Sequence, residues 1–305
     1  MLIAIDHGNK QIKLASGKTF NSGISDGDAF QPIDNDFILY EGKYYTITEK
    51  RIPYMRDKTT DDRFYMLTLF AIGYEIEQTG SYVPDLIRIK LAAGLPPAHF
   101  GPQHKQFEQY LRRGVIEEFE FHGKLHRVFI SEATAYPQAF AAAMPVYRDI
   151  RDLPKVVVID IGGFTADYLL IRFGQPDLSV CDSLENGVIF LYNQIIKRVN
   201  SELGSLLAEA DIDAIINGRV EGYKERAVRI VNDSARGFVS DLFGSLRERS
   251  VDLSTGTTVF VGGGSMLFKT LIEESGKAAS PMFVGEISAN AKGYELMHRE
   301  TKAGG

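Results

Sequence analysis

Residues Val156–Ile171 read "VVVIDIGGFTADYLLI". An apolar run ends in Asp160, Gly162 and Gly163 follow, and apolar residues resume after Thr165. Two apolar runs around a glycine-bearing break read as two buried strands joined by a turn. The same pattern stands near Met1. "LIAIDHGNKQIKLAS", residues 2–16, puts Asp6 at the end of an apolar strand and His7-Gly8-Asn9 in the turn before a second strand.

Working outward, the pattern repeats. In the first half, Phe37–Tyr40 and Tyr44–Thr48 read as strands, a nearly all-apolar helix opens at Asp61-Asp62, and Leu86–Ala93 is a strand. A polar helix, Gln103–Arg113, then leads to a hairpin of Val115–Phe121 and Lys124–Ile130 and a small-residue-rich helix over Ala133–Ala143. Residues 16–37, rich in Gly, Asp and Asn, read as a loop, and Asp149–Pro154 as a linker. In the second half, Thr165–Ile171 and Asp177–Asp182 are strands and Gly187–Leu203 is a helix. A second helix runs from Leu206 to a break at Asn217-Gly218, and Lys224–Arg249 is a long amphipathic helix. Thr258–Val261 is a buried strand, Met266–Glu274 a helix, Met282–Val284 a strand and Asn290–His298 a closing helix, with a frayed end beyond it. Each half reads β-β-β-α-β-α, with Asp6 and Asp160 in register, which is the mark of a duplicated architecture. The expected domains are 1–152, completed by the closing helix at 288–300, and 153–287.

Bulk properties narrow the class. The chain has 305 residues, 44% hydrophobic and 24% charged, enough for two ordinary domains of a soluble protein. The net charge of −6 comes without a lysine or arginine block, so direct nucleic-acid binding is not expected. The one cysteine, Cys181, excludes an internal disulfide, and no Cys/His cluster has zinc spacing. There is no apolar run of about 18 residues and no signal-peptide pattern at Met1, so no membrane span is expected and the cytoplasm is the default compartment.

Phosphates need backbone N–H donors at close range, and glycine permits that approach. One such turn from each half would grip a phosphate chain from both sides. Asp6 and Asp160, each at a strand end, suit a Mg²⁺ ion, which keeps most of its waters and takes few protein ligands. A third element, "TTVFVGGGSMLF" at residues 257–268, runs from a strand through Gly262, Gly263, Gly264 and Ser265 into a helix. Three glycines in a row would let a flat base or ribose lie on the backbone, and the helix N-terminus favours anions.

These elements, in this order, resemble the actin-like ATPase superfamily. "IAIDHGNKQIK" looks like its phosphate-1 motif, "VVIDIGGFTADY" like its phosphate-2 motif and "VFVGGGS" like its adenosine motif. The resemblance covers nearly the whole chain. It implies an α/β fold of two duplicated RNase H-like domains, as in actin and the heat-shock-chaperone ATPases, with a nucleotide cleft between them. It implies ATP or ADP with Mg²⁺ held by Asp6 and Asp160, mostly through water. Gly8, Asn9, Lys10 and Lys13 would line the first phosphate loop, and Gly162, Gly163, Phe164 and Thr165 the second. Gly187, in "LENGVIFLYNQI", resembles the second connecting motif, and Lys224 and Glu225 resemble the pair that flanks the base.

The water-activating group should end the strand before the helix that crosses the cleft. In "RVFISEATAYPQAF", residues 127–140, Glu132 follows an apolar strand, and a carboxylate there would orient water for attack on the γ-phosphate. Glu132 also matches the catalytic glutamate of the plasmid-segregating branch; Gln138 is held in reserve as lying inside the following helix. "DHGNKQIK", "GLPP" and "ANAKGY" together look most like the ParM/StbA group. That resemblance implies a protein that hydrolyses ATP, polymerises into filaments of itself and moves DNA through an adaptor. A small-molecule kinase on the same fold, or a nucleotide-binding scaffold, are the alternatives.

Overall fold

The computed structural model describes residues 1–27, 36–80, 85–185 and 187–303. The chain falls into two compact units: Met1–Met144 with the segment from Ile287 onward, and Pro145–Glu286. The break thus follows Met144 and precedes the linker expected at Asp149–Pro154.

The first unit opens with a hairpin of β1 (Leu2–His7) and β2 (Gln11–Leu14), which sets Asp6 opposite Lys13. Two short strands, β3 (Thr19–Asn21) and β4 (Ile24–Gly27), occupy part of the expected loop, whose residues 28–35 lie outside the described residues. Each of these edge strands carries a single large apolar residue, so no alternation marks it; Phe20 secures β3 by packing on Phe70 and Tyr74. Next come β5 (Phe37–Tyr40) and β6 (Lys43–Ile47), joined by Glu41-Gly42 with φ of 49° and 76°, the two-residue turn that suits strand twist. Helix α1 (Arg63–Gln78) is buried on nearly every side, as its composition predicts. Strand β7 (Ile87–Leu95) leads into α2 (Pro97–Arg112), which starts earlier than Gln103 because Pro97 takes the first helical position, where its missing N–H costs nothing. Then follow β8 (Ile116–Phe121) and β9 (Lys124–Pro137).

Strand β9 corrects the expected helix at Ala133–Ala143. Sheet pairing overrides the helix preference of alanine: β9 runs parallel to β7 as far as Leu95 opposite Pro137, and only a 3-10 turn, Ala141–Val146, follows.

The second unit contains α3 (Tyr147–Ile150), β10 (Val156–Ile161), β11 (Ala166–Arg172), β12 (Gln175–Leu184), α4 (Val188–Leu203), α5 (Glu209–Ile216) and α6 (Glu225–Glu248). It ends with β13 (Thr257–Val261), α7 (Gly263–Leu267), α8 (Lys269–Ser275) and β14 (Pro281–Phe283). The apolar positions of α6 from Ala227 to Leu246 form the floor of this unit's core. The closing helix α9 (Ala289–Ala303) belongs to the first unit and packs on β1 and β7. It is helical to Ala303, into the stretch expected to fray; residues 304–305 lie outside the described residues.

The duplication is explicit in the strand orders. The first sheet runs β3-β2-β1-β7-β9-β8-β5-β6-β4 and the second β12-β11-β10-β13-β14. The first five strands of one match the five of the other, position for position. In both, the third strand in that order, β1 or β10, is antiparallel to the second, β2 or β11, and parallel to the fourth, β7 or β13. The second hairpin pairs Asp160 with Asp167 where the first pairs Asp6 with Lys13.

Candidate functional site

Asp6, one residue before the end of β1, is almost wholly buried, at 2% exposure. Lys13 Nζ donates to its Oδ2 at 3.1 Å and Gln138 Nε2 to its Oδ1 at 3.2 Å. A side chain at Gly8 would come within 2.5 Å of the Gln11 carbonyl, so the turn accepts only glycine. Asn9 and Lys10 complete the turn, half-exposed, and the Lys10 carbonyl accepts from the Ser22 N–H at 3.3 Å. His7 is buried behind the turn, and its Nε2 meets Thr68 Oγ1 at 2.8 Å. The Thr68 hydroxyl donates to the Phe64 carbonyl, so it accepts from His7 and the proton sits on Nε2. Burial first, and then the charge of Lys58, hold the His7 pKa down to about 3, which makes it a neutral packing group.

Gln138 follows β9 directly. Its N–H donates to the Leu95 carbonyl at 2.8 Å. The next residue, Ala139, has φ of 62°, a left-handed conformation that alanine adopts at a cost of about 1–3 kcal/mol. Asn290 of α9 holds it there by accepting from the Ala139 N–H at 3.2 Å. Strain of this kind, fixed from two sides, is typical of a site that needs one side chain in one place.

In the second unit, Asp160 and Asp167 are buried cross-strand partners, and Thr165 Oγ1 donates to Asp167 Oδ2 at 3.1 Å. Like charges opposite one another destabilise a sheet, so a structural explanation of this pair is poor. Gly162, Gly163 and Phe164 lie against the start of α4. Their carbonyls accept from the N–H groups of Val188, Ile189 and Gly187 at 3.1, 2.8 and 2.9 Å. In a trans peptide the C=O and the following N–H point opposite ways. Carbonyls tied to α4 therefore turn the N–H groups of Gly163, Phe164 and Thr165 away from it, as a row of donors suited to phosphate.

The three-glycine element divides. Gly262 has φ of 86°, and a side chain there would overlap the Asp160 carboxylate. A side chain at Gly264 would come within 2.5 Å of Ile161 Cγ2. Only Gly263 faces open space. Two of the three glycines are thus required by packing on the Asp160 hairpin, and the run says less about a ligand than its composition suggested. Ser265 is buried and donates to the Val261 carbonyl at 2.5 Å, so its hydroxyl serves the helix start.

Residues 4–140 match the actin-like protein N-terminal domain family, and residues 158–274 match the C-terminal domain of the archaeal MreB-like actin homologues. The chain is an actin-like protein. Solved structures agree on the fold. An archaeal actin homologue in complex with ADP is 17% identical and superposes with a TM-score of 0.75 over 98% of this chain and 99% of its own. A ParM from a 15-stranded filament of Clostridium botulinum is 22% identical, with TM-score 0.75 and coverage of 98% and 99%. Bacillus thuringiensis ParM with ATP is 13% identical, with TM-score 0.71 and coverage of 99% of both chains. No curated protein is matched by sequence.

Other expected site residues of this actin-like protein are engaged locally. Lys224 Nζ donates to Ser205 Oγ at 3.1 Å, and Glu225 pairs with Arg229 along α6. Glu132 does not end its strand. It lies five residues before Pro137, or about 16 Å along β9. There Lys302 of α9 reaches it at 2.9 Å and Lys90 of β7 at 3.4 Å. It is Gln138, not Glu132, that the structure brings onto Asp6.

The hydrogen bond from Lys302, aided by Lys90, holds the Glu132 carboxyl below its ordinary value of 4.5. A depressed carboxylate stabilises the folded form above the unfolded pKa and loses that contribution as pH falls through the folded one. The last turn of α9 should therefore be held above about pH 4.5 and loosen below it. Glu132→Ala should produce the same loosening at neutral pH, with at most about 1 kcal/mol lost from a partly exposed pair. Amide exchange of residues 299–303 reads both effects; equal exchange at pH 3.5 and pH 7, after correction for intrinsic rates, would rule the tether out.

Among the described residues, no three His, Cys, Asp or Glu side chains are grouped to hold a metal by themselves. Nor is any helix among them long and apolar enough to cross a membrane.

Proposed function

We propose that this actin-like protein binds Mg-ATP through its two aspartate hairpins, hydrolyses it with water oriented by Gln138, and assembles into filaments. The observation that carries the reading is the pair of matched hairpins, each with a buried aspartate near a strand end and a glycine-bearing turn, the first of which accepts only glycine at Gly8. Solved relatives carry ADP and ATP, and one stands in a filament.

Asp6 in one unit, and Asp160 with Asp167 in the other, offer hard oxygen donors of the kind that suits Mg²⁺. When bound, the ion neutralises charge on the phosphate oxygens. Lys13, which donates to Asp6, would exchange that carboxylate for a phosphate oxygen when nucleotide binds. The carboxylate of Asp6 only accepts, so the amide nitrogen of Gln138 must face it. Its Oε1 is the end left to accept a hydrogen bond from the attacking water and so orient it. Gly263 is the open position for the nucleoside, with Lys224 and Glu225 beside the base. A cytoplasmic role in moving DNA through an adaptor completes the reading, with no direct contact to nucleic acid or membrane.

The test is phosphate release followed together with pelleting as protein concentration is raised in Mg-ATP. The expected result is release that turns on with polymer above a critical concentration. Phosphate transfer to a small-molecule hydroxyl without polymer would replace this reading with the kinase one, and absence of nucleotide binding would end both.

A further inference from the structure

Lys58 stands in a 3-10 turn, Lys58–Thr60, that precedes α1. The turn is braced from two directions. The Asp57 carboxylate accepts from the Thr59 N–H at 2.9 Å and from its hydroxyl at 2.6 Å. Gln106 of α2 donates to Thr59 Oγ1 at 2.6 Å and to Asp57 Oδ2 at 3.3 Å. From this fixed base the Lys58 side chain runs inward, buried at 9% exposure, over the Phe64 ring. Its ammonium donates to the backbone carbonyl of His7, the residue between Asp6 and Gly8.

Burying an ammonium costs several kcal/mol of hydration, and an apolar side chain of similar length would fill the space more cheaply. What only a donor can do is hold the carbonyl. A trans peptide couples the His7 C=O to the Gly8 N–H in opposite directions, so a carbonyl drawn toward Lys58 points the Gly8 N–H the other way. The second hairpin achieves this with the N–H groups of α4, which hold the carbonyls of Gly162, Gly163 and Phe164 from behind.

We propose that Lys58 is a positioning residue: its ammonium pins the His7 carbonyl so that the Gly8 N–H is presented to the phosphates of a bound nucleotide. The proposal rests on the nucleotide-binding reading above. In the second unit the start of α4 holds other carbonyls of the turn in the same manner.

The test compares ADP, with Mg²⁺, and adenosine as ligands of the whole chain, by calorimetry and ligand-observed NMR. Lys58→Met should weaken ADP about tenfold, the loss of one well-placed donor, and leave adenosine within about twofold. Lys58→Arg, which keeps a donor, should recover most of the ADP affinity. A general packing defect would weaken both ligands together. Unchanged ADP affinity in Lys58→Met, or equal loss of ADP and adenosine, overturns the assignment while the nucleotide reading stands. A wild-type chain that binds neither ligand overturns both.

Discussion

Gln138→Ala should release phosphate about a hundredfold more slowly than the wild type, while its affinity for ATP changes less than about threefold. The argument is one of placement. Gln138 has its amide nitrogen on Asp6 and its backbone on Leu95, and the strained Ala139 beside it is held by Asn290. A group fixed this well loses little entropy when it orients a water, and that orientation is made only on the way to the transition state. Truncation should thus lower kcat with little effect on binding. Filaments of Gln138→Ala should persist in ATP for longer than wild-type filaments. Glu132→Ala should hydrolyse within about threefold of wild type, because the partners of that carboxylate are Lys90, Lys302 and His298. Single-turnover phosphate release decides between the two. Normal hydrolysis in Gln138→Ala and a collapse in Glu132→Ala would reverse the assignment.

The hairpins were legible because both of their signals are local. An apolar run, a carboxylate and a glycine turn lie within about a dozen residues, and nothing in the fold has to override them. The long helix α6 was legible for the same reason, since its three-to-four spacing is sustained over six turns. The misreadings have non-local causes. Alanine favours a helix in isolation, but Ala133 and Ala135 lie in β9 because β7 offers a parallel partner. The expected helix put the end of the strand next to Glu132, whereas β9 runs on to Pro137. No residue type announces that Ala139 will take a positive φ, so the place of Gln138 could not be read directly. Asp167 is legible in the sequence: it follows Asp160 by seven residues, as Lys13 follows Asp6. Gly262 and Gly264 are glycines for packing reasons, which composition does not separate from reasons of ligand approach.

Gly187→Ala tests the second hairpin without touching a charged group. A methyl at Gly187 would overlap the Gly163 carbonyl and the Phe164 backbone, and neither can move as a flexible side chain would. The start of α4 must then withdraw from the turn, which puts three backbone hydrogen bonds at risk. At about 1 kcal/mol each, the second unit should lose about 3 kcal/mol of stability. The same withdrawal frees the carbonyls of Gly162, Gly163 and Phe164, so the opposed N–H groups lose their common direction. Affinity for ADP should fall by about a hundredfold, similar to losing two good hydrogen bonds to a charged ligand. Gly263→Ala is the matched control, because a methyl there meets nothing within 4 Å. It should melt with the wild type, and any loss of ADP affinity it shows would come from the ligand itself. Calorimetric melting and ADP titration of both variants separate the cases. If Gly187→Ala melts and binds as the wild type does, then α4 is not what holds the second phosphate turn in shape.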